Sequence, residues 1–227
     1  LTPPDSIGDL LSSMPMAFNL FGEASHTDND EARSRLGALF GVEAAGDSDI
    51  VFEWSPGRRQ PAYTRDRTAF DVALRIGDPA GPRTVVGMET KYHEHSLKEK
   101  IPSGRNPQAA LRYQEQTDFL VAIAEESGVF KPGWQDRVLT TDLRQIWRYH
   151  LLALSMRRHP QLWTAQTRYA LLYPERNASF RTATRAYADL LADTTGSFQA
   201  VTIERIIAAA FNDVSPTRDQ FRSRYLW

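Results

Sequence analysis

The 227-residue sequence predicts an α/β protein with a mixed central sheet flanked by helices and with helical additions at both ends. Three observations carry this. A hairpin reads from Thr68 to Tyr92, with apolar residues recurring every second position. Two further segments, Asp49–Trp54 and Gln166–Tyr173, read as strands. Between the hairpin and the second of them lies a long amphipathic helix, Leu143–Arg158, whose apolar side is too wide for anything but a central position. One domain is expected, with a core over 28–203, an N-terminal arm over 1–27 and C-terminal helices over 204–227.

In chain order, Pro3 and Pro4 precede a short apolar helix over Ile7–Leu11. Met14–Phe21 is an apolar packing segment that contains Asn19. Asp28 or Asp30 caps a helix that runs to about Phe40, with Gly41 at its end. Asp49–Trp54 is the first strand, ended by Ser55-Pro56-Gly57, with Glu53 as a candidate acid. The basic loop Arg58–Arg67 leads into the hairpin. After it come a loop over Ser96–Pro107 and a helix over Gln108–Ser127. Thr141-Asp142 caps the Leu143–Arg158 helix. Gln166–Tyr173 is a strand, Ala178–Asp193 a helix, Phe198–Ile203 a strand and Glu204–Phe211 a helix. Ser215-Pro216 opens a terminal helix to Trp227.

The hairpin carries the chemistry. In its first arm Phe70, Val72, Leu74 and Ile76 share one face and Asp71, Ala73 and Arg75 the other. Asp78-Pro79-Ala80-Gly81-Pro82 is a turn, and a turn centred near Ala80 brings Asp71 opposite Glu89 or one step from it. On the returning arm Val85, Gly87, Glu89 and Lys91 share a face. Directly opposed side chains have Cβ atoms roughly 5 Å apart, so two like charges there need compensation, and Mg²⁺ supplies it through oxygen ligands. The alternative for such a triplet is a surface acid pair neutralised by Lys91.

Asp71 followed by Glu89-Thr90-Lys91 resembles the Asp…Glu-x-Lys signature of the PD-(D/E)XK, or restriction-endonuclease-like, nuclease superfamily. Phe70 stands where the motif's name has Pro. The resemblance implies an αβββαβ core with a mixed sheet. It implies a metal-dependent phosphodiesterase in which Asp71, Glu89 and the Thr90 carbonyl hold Mg²⁺, with Mn²⁺ as a substitute, while Lys91 serves the attacking water. It makes Glu31, near the start of the first core helix, a further metal ligand. Gln145-x-x-x-Tyr149 resembles the Gln-x-x-x-Tyr helix motif of RecB-type members, and its i, i+4 spacing puts both side chains on one face, with Arg148 and His150 beside them. DNA is expected as the substrate rather than RNA, cut internally or from an end, by a homodimer or with a partner subunit. The rival within this fold is an inactive module that binds nucleic acid or a protein. A glycosidase using two carboxylates is the rival outside it.

Composition bears on these expectations. There are no cysteines, which excludes disulfides and thiolate metal sites and suits a cytoplasmic protein. Neither a membrane span nor a signal peptide is visible. The net charge of −1 does not advertise nucleic-acid binding, but it is unevenly spread. Residues 1–50 carry nine carboxylates against Arg33 and Arg35, a net of −7, which leaves +6 on the remainder. Arg58, Arg59, Arg65 and Arg67 precede the hairpin and Lys98, Lys100, Arg105 and Arg112 follow it, a placement suited to holding phosphates. His93 and His95 continue the Glu89 and Lys91 face only if the strand persists to them.

Overall fold

A computed structural model describes residues 13–43, 47–93, 95–98, 102, 106–192, 196–211 and 215–226. The expected helix over Ile7–Leu11 and the basic residues Lys100 and Arg105 lie outside the described residues. Two helices, α1 (Ser13–Ser25) and α2 (Asp30–Leu39), precede the strands β1 (Ser48–Trp54), β2 (Phe70–Ile76) and β3 (Thr84–Thr90). Then come α3 (Pro107–Ser127), α4 (Trp134–Leu139) and α5 (Arg144–Arg157), followed by β4 (Arg168–Tyr173), α6 (Ala178–Ala188), β5 (Phe198–Thr202), α7 (Ile203–Ala210) and α8 (Pro216–Tyr225).

The five strands form one sheet in the order β1-β2-β3-β4-β5. β1, β2 and β3 are antiparallel neighbours, whereas β4 and β5 join β3 in parallel. In the hairpin Val72 faces Met88 and Ala73 faces Gly87, the register that a turn centred on Ala80 requires. Helices cover both faces, so β3 and β4 are buried along their whole length, polar residues included. Val72, Leu74, Ile76, Val86, Met88, Ala170 and Leu172 pack against α1, α2, α7 and α8. Ala73, Val85, Tyr169, Leu171 and Tyr173 pack against α3, α4, α5 and α6. This is a restriction-endonuclease-like α/β architecture.

Several expectations change in detail. Phe70 does not join Val72; its ring lies in the other layer, with centroids 6.5 Å from Trp54 and 6.3 Å from Tyr169. The reason is Gly87: a Cβ there would overlap the Phe70 ring, so the glycine leaves the space that the ring fills. The cap of α2 is Asn29, whose Oδ1 accepts from Ala32 N at 3.3 Å, while Asp30 sits in the first turn and pairs with Arg33. α4 follows Gly133, whose φ of 80° is natural to a glycine, and six residues are too few to show a period. β3 ends at Thr90, so His93 and His95 do not continue its face. Asn19 donates to the Tyr225 hydroxyl at 2.7 Å and ties α1 to α8, in keeping with a packing role.

Candidate active site

The site forms where β2 and β3 part. The last pair of the register is Val72 with Met88, and beyond it the Thr90 N–H donates to the Asp71 side chain at 2.8 Å instead of to a β2 carbonyl. The Thr90 hydroxyl donates to the same atom, Asp71 Oδ2, at 2.7 Å. Glu89 lies on β3 and Lys91 just past its end, and Lys91 Nζ donates to Glu89 Oε1 at 2.9 Å. All four residues are buried: Asp71 is 9% exposed, Lys91 8%, Glu89 4% and Thr90 not at all. A surface acid pair neutralised by a lysine would be solvated, and this one is not.

Burial sets the electrostatics. Desolvation pushes the Glu89 carboxyl up to about 8, only partly offset by the Lys91 ammonium, and the nearby Asp71 charge adds to the rise. Asp71 is raised for the same first reason, against which its two hydrogen bonds from Thr90 work. Tyr149 reaches this pair from α5. Burial, followed by the Glu89 and Asp71 charges, raises its phenol far above the ordinary value, so it stays protonated.

Asp71, Gln145 and Tyr149 share the wall of a cleft of about 320 Å³ with Glu53, Arg58, Arg67 and Arg148. Gln145 is exposed there, while Arg148 pairs with Asp66 Oδ2 at 3.1 Å. The i, i+4 pair of α5 therefore faces the carboxylates. His150 does not: it is fully buried, with Nδ1 2.9 Å from the Tyr187 hydroxyl and Nε2 2.9 Å from Ser197 Oγ. Glu31 is not brought to the cluster either, because its exposed side chain pairs with Arg35 at 2.6 Å on the surface of α2. His93 and His95 are exposed and line a separate cavity of about 930 Å³.

Glu53, the candidate acid of the first strand, lies near the cluster. It falls between the pairs Phe52 with Val72 and Trp54 with Phe70, which puts it beside Asp71 across the sheet. Its φ of 50° is rare for a residue with a side chain, its carboxylate pairs with Arg58 at 3.1 Å, and its charge contributes to the rise at Asp71. Asp66 is a residue that sequence reasoning missed. Its Oδ1 accepts from Thr64 Oγ1 and Thr68 N, both at 2.9 Å, which sets the turn that holds Arg148 at the cleft.

The donor atoms suit a hard cation. Glu89 Oε2 is buried and, among the described residues, has no hydrogen-bond partner. An orphaned carboxylate oxygen in such a place has an unmet need for a positive partner. The described residues contain no group of three or more His, Cys, Asp and Glu side chains able to hold a metal, so the cluster offers no more than the two carboxylates of Asp71 and Glu89. Few protein oxygens and room for water is the pattern that Mg²⁺ accepts.

A mixed sheet that carries Asp71 and Glu89 where two strands part, with Lys91 just beyond, defines the class of the restriction-endonuclease-like nucleases. In agreement, the family model of the PD-(D/E)XK nuclease superfamily matches residues 3–227, and the chain belongs to that superfamily. No curated protein and no solved structure matches the chain. No helix among the described residues is long and apolar enough to cross a membrane.

Proposed function

We propose that the protein is a divalent-cation-dependent phosphodiesterase that cleaves DNA in the cytoplasm. The observation that carries this reading is the pair of buried carboxylates where β2 and β3 part, one with an orphaned oxygen and with Lys91 fixed on its other oxygen. Asp71, Glu89 and the Thr90 carbonyl would hold Mg²⁺ or Mn²⁺, which when bound supplies Lewis-acid polarisation of the phosphate and a water of lowered pKa.

The remaining roles belong to the chain's own side chains. Lys91, positioned by Glu89 Oε1, orients the attacking water. Tyr149 keeps its proton and so works as a hydrogen-bond donor rather than as a base. With Gln145 it faces the same cleft, where an amide and a phenol can hold that water or a phosphate oxygen. Arg58 and Arg67, exposed at the cleft, take neighbouring backbone phosphates. DNA is favoured over RNA by the habit of the superfamily. A second copy or a partner subunit would supply a second cut.

The test is cleavage of plasmid and single-stranded DNA in Mg²⁺, Mn²⁺ or EDTA, run beside Glu89→Gln and Lys91→Ala. Metal-dependent cleavage lost at least a hundredfold in both variants is the expected outcome. A folded wild-type protein that cuts neither substrate in either metal would instead be a nuclease-fold binding module, and cutting that persists in EDTA would rule out metal-dependent chemistry.

A further inference from the structure

We infer that Thr90 is a positioning residue whose hydroxyl and amide hold Asp71 Oδ2, so that Asp71 and Glu89 each offer one oxygen, Oδ1 and Oε2, to a small octahedral divalent cation. This rests on the metal-dependent reading above and adds the division of labour among the four carboxylate oxygens.

Two of those oxygens are spoken for. Asp71 Oδ2 accepts from Thr90 N at 2.8 Å and from Thr90 Oγ1 at 2.7 Å, a two-point hold that fixes the carboxylate plane. Glu89 Oε1 accepts from Lys91 Nζ at 2.9 Å. The other two differ in kind. Asp71 Oδ1 receives no hydrogen bond from the described residues, and Glu89 Oε2 is buried without a partner among them. A cation at Asp71 Oδ2 would compete with the two hydrogen bonds from Thr90, and one at Glu89 Oε1 would crowd the bond from Lys91. Binding through Oδ1 and Oε2 leaves all three in place.

Single-oxygen ligation by two carboxylates leaves most of the coordination sphere to water and phosphate oxygens, the arrangement in which a small octahedral cation binds. Thr90 is thus more than the spacer between Glu89 and Lys91. Its side chain reaches back across the hairpin and sets the angle at which Asp71 presents Oδ1. Outer hydrogen bonds of this kind typically contribute 10–100-fold to metal affinity. Valine at this position would keep the shape and the N–H bond but remove the hydroxyl.

The experiment is calorimetric titration of the full chain with Mn²⁺, for wild type, Thr90→Val, Thr90→Ser and Asp71→Asn, with melting curves in EDTA. Thr90→Val is expected to bind Mn²⁺ about tenfold or more weakly while melting close to wild type, and Thr90→Ser to recover most of the affinity. If Thr90→Val does not fold, Thr90→Ala takes its place with the same expectation. Wild-type affinity in the folded Thr90→Val variant, with binding lost in Asp71→Asn, overturns the role of the hydroxyl and leaves the metal-dependent reading standing. Mn²⁺ binding by wild type no tighter than by Asp71→Asn overturns both.

Discussion

At Glu89 chemistry and stability pull in opposite directions. Its carboxyl is lifted to about 8 by desolvation, with Asp71 adding to the rise, whereas in the unfolded chain it ionises near the ordinary value of 4.5. Between those values the folded, metal-free protein holds a proton that the unfolded chain has lost, so stability falls as pH rises. Asp71, also raised, acts with the same sign. Melting in EDTA between about pH 5 and pH 8 should therefore decline more steeply for wild type than for Glu89→Gln, and equal slopes would mean that Glu89 is not the group responsible. On the proposed reading, a divalent cation would reverse the penalty, because it would bind the ionised form and release the proton. The proximity of Asp71, Glu89 and Lys91 was legible in the sequence because a period of two and a turn centre are enough to bring them together, whereas the same period turned the Thr90 side chain away and gave no sign of its hydroxyl on Asp71. Glu53 was harder to place, since a backbone φ of 50° takes it out of the strand's alternation, and Asp66 gave no signal because its role is a turn between loop residues and a long-range pair with Arg148.

At the scale of the element, the hairpin depends on a gap as much as on contacts. Gly87 receives the Phe70 ring, which also lies against Trp54 and Tyr169. Gly87→Ala should cost about 1–3 kcal/mol through overpacking. In urea unfolding, Phe70→Leu added to Gly87→Ala should cost less than the two single substitutions together, because the smaller side chain vacates the space. Additive costs would show that the two positions do not compete. The same gap explains why alternation placed Phe70 on the wrong face: the period reports the direction of the backbone, but a glycine opposite can draw a ring across. Most helices and strands were readable from periodicity and caps. α4 was not, being a turn and a half set between Gly133 and Thr140, and the histidines beyond Lys91 were ambiguous because nothing in a single strand pattern marks where pairing stops.

Over the whole molecule, charge is separated along the chain. The −7 of residues 1–50 is counterbalanced by +6 on the rest, so a chain of near-zero net charge can still carry a basic rim. Arg58 and Arg67 stand exposed at the cleft. Replacing both with Ala should weaken binding of a DNA oligonucleotide and reduce the slope of log affinity against log salt by about one to two. An unchanged slope would place the phosphates elsewhere on the surface. The two layers of helices also differ in what they do: α3 to α6 pack on the face that holds the cleft, while α1, α2, α7 and α8 back the sheet from behind.

Within the cleft-bearing layer α5 carries Tyr149 and His150 side by side. The histidine is held at both ring nitrogens, by Tyr187 on α6 and by Ser197 just ahead of β5, which ties α5 to its neighbours at that point. The phenol at the cleft thus directly precedes in sequence a residue anchored near the β5 edge, so the cleft and that edge are joined through adjacent residues of one helix.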